Sequence, residues 1–160
     1  MATRADAIAR VREHLHSGAF LNELGRRVAY RTESQTPGTG EALRAYLVEN
    51  LQPAFAELGF TTRLIESPTG RGPYLLADYR EDAALPTVLT YGHGDVVEGM
   101  EGEWRDNLDP WQTTTRGERV YGRGTADNKG QHSINLAALR AVRETRGGKL
   151  VNKRTNGVVK

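Results

Sequence analysis

Apolar residues recur every three or four positions through the N-terminal third of the chain, which predicts a run of helices. A first helix is predicted at about residues 3–16 and a second at 20–28. Residues 41–58 return to the same period, with a bend or break at Pro53, which lacks a backbone N–H. Gly59 then follows as a candidate C-cap. The first part of the chain is therefore predicted to be helical.

The period of the hydrophobic pattern changes after Gly59. Residues 61–67 and 74–79 are predicted to be strands, and the apolar run at 87–92 to be a central strand. A long polar loop follows, and residues 129–145 again have the helical period. Helices before and after the strands are typical of an α/β protein with a mixed sheet and flanking helices.

The predicted central strand ends in His93, which is flanked by two glycines and followed two positions later by Asp95. In an extended chain, residues i and i+2 point to the same face, roughly 6.6 Å apart at ~3.3 Å per residue. The carboxylate of Asp95 would then be placed to orient the imidazole of His93, as carboxylates commonly do for metal-bound histidines. The alternative is an exposed His and Asp in a loop.

A second motif, YGRGTADNKG, covers residues 121–130 and opens the last predicted helix. Asp127 is a candidate metal ligand, and the alternative is an N-cap or first-turn acid favoured by the helix dipole. Nucleotide binding is disfavoured: Gly122 and Gly124 begin a G-x-G pattern, but Asp127 stands where a third glycine would be, and its negative charge would repel a phosphate.

Composition narrows the chemistry further. The 160 residues include no cysteine, so disulfides are excluded and a metal would be held by His, Asp or Glu. Such donors suit zinc, cobalt or manganese in a hydrolytic site. The net charge of +2, from 22 basic and 20 acidic residues, does not favour a nucleic-acid partner. Neither a membrane span nor a secretory signal is visible, so a cytoplasmic location without membrane partners is expected.

The paired motifs carry a resemblance. H-G-D-V-V at 93–97, D-P-W at 109–111 and V-Y-G-R-G-T-A-D-N-K-G at 120–130 resemble the dizinc hydrolases that include aminoacylase, carnosinase, glutamate-releasing carboxypeptidases and succinyl-diaminopimelate desuccinylase. The resemblance implies a zinc-exopeptidase-like fold and two zinc ions, with cobalt or manganese possible. It implies His93 as a zinc ligand, Asp127 as the ligand that bridges both ions, and Asp95 as the catalytic carboxylate that holds the imidazole. The implied substrates are small peptides or acylated amino acids, and the intact family forms homodimers.

Other parts of the family pattern have no match. The general base, a Glu in a Glu-Glu pair, and the later ligands are not found in this sequence. Residues 1–150 are interpreted as the N-terminal part of the catalytic domain. Residues 151–160 are interpreted as a basic tail that lacks strand alternation and leaves the sheet incomplete at its C-terminus, with an uncovered edge. Little or no hydrolysis is expected of this chain alone, and the alternative function is a truncated non-catalytic fragment or interaction module.

Five further residues receive no chemical role. His14, His16 and His132 are expected to be solvated or on helix surfaces rather than bound to metal. Trp104 and Trp111 are expected to anchor the polar loop rather than bind substrate.

Overall fold

The computed structural model describes residues 2–68 and 72–150 and the backbone of 153–158. The helices are α1 (Arg4–His16), α2 (Ala19–Val28), α3 (Gly40–Ala45), a π-helical segment (Tyr46–Leu51), α4 (Gln52–Glu57), a 3-10 turn (Arg105–Asn107) and α5 (Lys129–Thr145). The strands are β1 (Thr61–Ile65), β2 (Tyr74–Tyr79), β3 (Val88–His93), β4 (Thr114–Arg116), β5 (Arg119–Tyr121) and β6 (Lys153–Val158). No helix in the described part of the chain is long and apolar enough to span a bilayer.

The predicted helices are confirmed, with one local change around Pro53. The chain stays helical from α3 through α4, but the segment between them adopts π-helical hydrogen bonding just before the proline. There the N–H of Gln52 bonds to the carbonyl of Leu47, five residues back. The proline has no N–H to continue the regular ladder, so its effect is a change in hydrogen-bond period. Gly59 ends the stretch with φ of +79°, as expected of a C-cap glycine.

Four strands form one sheet in the order β1-β2-β6-β3. β1 with β2 and β2 with β6 are antiparallel, and β6 with β3 is parallel, so the predicted mixed sheet is confirmed. β4 and β5 form a separate hairpin, and neither strand was predicted.

Two expectations about the sheet are wrong. The tail was expected to lack strand alternation and to leave the edge of the sheet uncovered, yet the backbone of Lys153–Val158 pairs with both β2 and β3. Both neighbours present backbone N–H and C=O groups, and pairing with them does not require side-chain alternation. β3 was expected to be central, yet it is an edge strand among the strands that the structure describes. The assignment of 151–160 as a tail outside the family pattern remains a prediction.

The hydrophobic core lies between the helices and one face of this sheet. Leu75 and Ala77 of β2 point into it, and the strand register puts Thr90 and Gly92 of β3 on the same face. The core is built from these buried residues: Leu43, Tyr46, Leu47, Leu51, Phe55, Leu58, Phe60, Leu75, Ala77, Leu136, Leu139 and Leu150. The neighbouring positions of β3 point to the opposite face, where Leu89 is 63% and Tyr91 is 58% exposed.

The exposed apolar residues of β3 should make the chain self-associate, because an edge strand with apolar side chains invites pairing. We expect Leu89→Lys to lower the average mass towards the 17.7 kDa of one chain. Sedimentation over a range of concentrations measures this. Ile8→Lys, which removes an apolar side chain that is 42% exposed on α1, is the control and should leave the mass unchanged. Equal masses for wild type and Leu89→Lys would contradict the prediction.

Candidate metal-binding site

The three residues predicted for the site lie together. His93 ends β3, and its Nε2 lies 2.9 Å from Oδ1 of Asp127, 34 residues later in the chain. Its Nδ1 lies 3.1 Å from Oδ1 of Asp95. The His93 and Asp95 side chains are 27% and 16% exposed, so the alternative of a freely exposed loop pair does not hold. The imidazole is therefore held between two carboxylates, one facing each ring nitrogen.

The segment that carries Asp95 is tied to the loop after α2. Val96 N donates to Thr32 O (2.8 Å), Thr32 Oγ1 donates to Gly94 O (2.6 Å), and Ser34 N donates to Val96 O (3.3 Å). Ser34 Oγ then donates to Oδ2 of Asp95 (2.8 Å). Sequence reasoning missed Ser34, because composition marks residues 32–40 only as a loop.

Asp127 lies in the tight turn before α5. Asn128 is the N-cap residue and makes no side-chain capping bond, so the alternative role of Asp127 as the N-cap does not hold. The Asp127 side chain is 77% exposed and the peptide bond that follows it is cis. Gly130 permits the turn, because a Cβ there would lie 1.9 Å from Thr125 O. The glycine that ends the motif thus lets the turn pack directly on the helix.

Lys129 of the same motif is buried beneath the site and does not line the cleft. Its Nζ donates to Tyr30 O and lies 5.3 Å from the centre of the Tyr46 ring. Burial lowers its pKa to about 7, and the nearby Glu33 carboxylate opposes the shift. Lys129 therefore ties the start of α5 to the residues after α2.

The two tryptophans anchor the polar loop, as predicted. Trp104 Nε1 donates to Gly99 O (2.8 Å), and Trp111 Nε1 donates to Oε1 of Glu101 (2.7 Å). Arg123 lies over the Trp104 ring and also donates to Gly99 O (3.2 Å). These bonds hold one wall of the cleft into which the site opens.

The expectation for His132 is wrong, because its side chain is buried and not on a solvated helix surface. The residue is 9% exposed, and its ring stacks on Tyr46 with Nδ1 2.8 Å from the Tyr46 hydroxyl. Its Nε2 is buried without a hydrogen-bond partner. Burial, aided by the charge of Arg27, lowers its pKa to about 3, so the ring is neutral. Helical periodicity predicted the helix but could not show that Tyr46 covers this position.

The site opens into a cleft of about 480 Å³. Its walls are formed by Ser34, Gln35, His93, Asp95, Val96, Val97, Trp104, Val120, Tyr121, Gly122, Arg123, Gly124, Thr125, Ala126 and Asp127. A somewhat larger cavity, about 520 Å³, lies beside α2 and α4 and contains none of the motif residues. There Arg140 is already paired with Glu23 at 2.8 Å. The cleft that His93, Asp95 and Asp127 line together is therefore the candidate binding site.

An imidazole nitrogen and a carboxylate oxygen that face each other suit a divalent metal such as zinc. Asp95 contacts Nδ1 of His93 through its carboxylate and its backbone carbonyl, both at 3.1 Å, which would leave Nε2 to face a metal on the same side as Asp127. No group of three or more His, Asp or Glu side chains that could hold a metal is found within the described ranges. The residues present therefore fit part of a metal site.

The comparisons with known proteins agree with the motifs. Residues 89–152 match the model of Peptidase family M20/M25/M40. An acetylornithine deacetylase from Vibrio campbellii is 29% identical over 124 residues, which are 78% of this chain and 32% of the relative. The predicted resemblance to this family of metal-dependent hydrolases is confirmed.

Solved structures share the fold. Human carnosine dipeptidase 1 is 25% identical with a TM-score of 0.84, over 95% of this chain and 33% of that protein. The di-peptidase Dug1p from Saccharomyces cerevisiae is 18% identical with a TM-score of 0.84, over 99% of this chain and 35% of that protein. The predicted fold class is confirmed, and the chain spans about a third of the length of the curated relatives it matches.

Gly92 should be intolerant of a side chain, because a Cβ there would lie 2.4 Å from His132 Nε2 and 2.9 Å from Asn128 Oδ1. We expect Gly92→Ala to lower the free energy of unfolding by about 1–3 kcal/mol, as overpacking does. Denaturant unfolding measures this. Gly40→Ala is the control, because a Cβ there meets open space. A double variant with His132→Ala should cost less than the sum of the two single changes, and strict additivity would contradict the clash.

His132 should make stability depend on pH. Its pKa is about 3 in the folded chain against an ordinary 6.5, so the unfolded chain binds more protons between these values. The free energy of unfolding should therefore fall as pH drops below 6.5, by up to about 1.4 kcal/mol per pH unit. Urea unfolding of His132→Gln should show a weaker fall between about pH 7.5 and 5.5. The same change at exposed His16 should keep the wild-type slope, and equal slopes for all three would refute the assignment.

Proposed function

We propose that this chain, a relative of the M20 peptidases, forms part of the catalytic site of a metal-dependent hydrolase of peptide or amide bonds. The observation that carries the proposal is the imidazole of His93 held between Asp95 and Asp127 at the mouth of the cleft. His93 and Asp127 would hold metal, with Asp127 as the bridging ligand if two zinc ions bind. Asp95 would keep the imidazole oriented.

When bound, the metal would supply a Lewis acid for the amide carbonyl and lower the pKa of its water. The residues of this chain do the positioning. Asp95 accepts the Nδ1–H of His93 and so selects the tautomer whose Nε2 lone pair faces the metal. Asp127, with its carboxylate exposed to the cleft, presents oxygens for coordination.

The proposed substrates are small molecules with one amide bond to cleave. The names of two similar proteins describe a deacetylase of acetylornithine and a dipeptidase of carnosine. A cleft of about 480 Å³ is within the ordinary range for small-molecule sites. We therefore propose a dipeptide, an N-acyl amino acid or a peptide that loses its C-terminal residue as substrate.

We propose further that the chain does not hydrolyse these substrates alone. Each zinc takes about four ligands, whereas His93 and Asp127 supply two donors. The Glu that acts as general base in the resembling family has no match in this sequence. A non-catalytic interaction module is the second candidate function, favoured by the exposed Leu89 and Tyr91 on the edge strand β3.

Zinc titration of the purified chain tests the metal role. We expect weak binding that falls roughly tenfold or more in His93→Ala and in Asp127→Asn, because each removes a ligand. His16→Ala, which removes an exposed histidine from α1, should bind as the wild type does. Binding that is indifferent to His93 would contradict the proposal.

Hydrolysis is measured separately, with an N-acetyl amino acid and a dipeptide in the presence of zinc. We expect no turnover by the chain alone. Turnover that disappears in His93→Ala would support the hydrolytic assignment and refute the proposed inactivity.

A further inference from the structure

We propose that Ser34 is a positioning residue for this site: its hydroxyl fixes the carboxylate of Asp95, which in turn fixes the imidazole of His93. The inference rests on the proposed function for its consequence in metal binding. The contact itself, from Ser34 Oγ to Asp95 Oδ2, measures 2.8 Å and joins residues 61 positions apart.

The backbone around Ser34 places its hydroxyl opposite Asp95. Thr32 and Ser34 both bond to Val96, the residue after Asp95, through Val96 N to Thr32 O at 2.8 Å and Ser34 N to Val96 O at 3.3 Å. Glu33 and Val96 also form a parallel bridge. The two short segments are thus held side by side in register. A donor at Ser34 and an acceptor at Asp95 are placed opposite each other by this pairing.

The hydrogen-bond directions around Asp95 are mutually consistent. An ionised carboxylate only accepts, a serine hydroxyl is able to donate, and a neutral imidazole donates from one nitrogen. Oδ2 of Asp95 accepts from Ser34, and Oδ1 lies 3.1 Å from Nδ1 of His93. Both oxygens of the carboxylate are therefore engaged, and each has a different role.

The second bond matters because the terminal torsion of an aspartate is broad and is not fixed by a staggered minimum. Nδ1 of His93 also lies 3.1 Å from the backbone carbonyl oxygen of Asp95, which holds the ring but does not hold the carboxylate, so one hydrogen bond from the imidazole would leave the carboxylate free to turn. The bond from Ser34 ties the carboxylate plane to the paired backbone and leaves one oxygen directed at Nδ1. Nε2 of His93 then stays available on the side of Asp127, 2.9 Å away.

Removal of the Ser34 hydroxyl should weaken the preference of His93 for a proton on Nδ1. In Ser34→Ala, Asp127 competes better for the ring proton, so more of the neutral imidazole should carry it on Nε2. We expect the affinity for zinc to fall roughly tenfold, the lower end of what loss of a ligand's partner costs. Ser34 is solvent-exposed as a residue, so the unfolding midpoint should change little.

The experiment compares the wild type with Ser34→Ala, Ser34→Thr and the control Ser17→Ala. Ser17 is an exposed serine at the end of α1, whose hydroxyl donates to the His14 carbonyl. Long-range ¹H–¹⁵N spectra of the metal-free chain at about pH 8.5, where an ordinary histidine is neutral, report which nitrogen of His93 is protonated. Zinc titration of the same four proteins reports affinity.

We expect Ser34→Ala alone to shift the His93 signals towards the Nε2–H form and to weaken zinc binding, while Ser34→Thr keeps the hydroxyl and both wild-type readouts. Unchanged His93 signals in Ser34→Ala would overturn the inference, whatever zinc does. If the His93 signals shift but the chain binds no zinc, or binds it equally well without His93, the role of Ser34 is upheld and the proposed function is refuted. Failure of the inference about Ser34 and failure of the proposed function are thereby distinguished.

Discussion

Backbone hydrogen bonds between residues 32–34 and 94–96 join the helical part of the chain to the segment that follows β3. They are few, but every functional contact near them depends on their register. The carboxylate of Glu33, in the middle of the first segment, accepts from Gly99 N at 2.9 Å and so extends the connection to the polar loop. If this pairing slipped by one residue, the side chains of Ser34 and Asp95 would no longer face each other.

A group of buried polar side chains supports the site from below. Arg27 Nη1 donates to Ser133 Oγ at 2.9 Å, and Ser133 Oγ donates to Lys129 O at 2.9 Å. Lys129 and His132 lie on the same helix, with their charged forms disfavoured by burial. Burial of so many polar groups lowers stability unless each finds a partner. The arrangement fits α5 for the placement of the turn that precedes it, where Asp127 stands, rather than for maximal stability.

Sequence reasoning reached the parts of the site that are encoded locally. His93 and Asp95 are two residues apart on an extended chain, so their shared direction follows from strand geometry. Their meeting with Asp127 was implied by the family resemblance that the two motifs carry. The contact of Ser34 spans 61 residues, and no local pattern encodes it. The burial of His132 likewise depends on Tyr46, which lies 86 residues away, and helical periodicity does not show what covers a helix face.

The place of β6 in the sheet has a consequence for how the chain assembles. Lys153–Val158 is the last strand in chain order, yet it lies between β2 and β3. Before it is in place, the hairpin of β1 and β2 has no neighbour to connect it with β3, although all three precede α5. During synthesis on the ribosome the sheet therefore stays open until this late segment emerges, and its closure depends on contacts between distant parts of the chain. Such contacts form slowly and leave strand edges exposed to chaperones and to other nascent chains in the meantime.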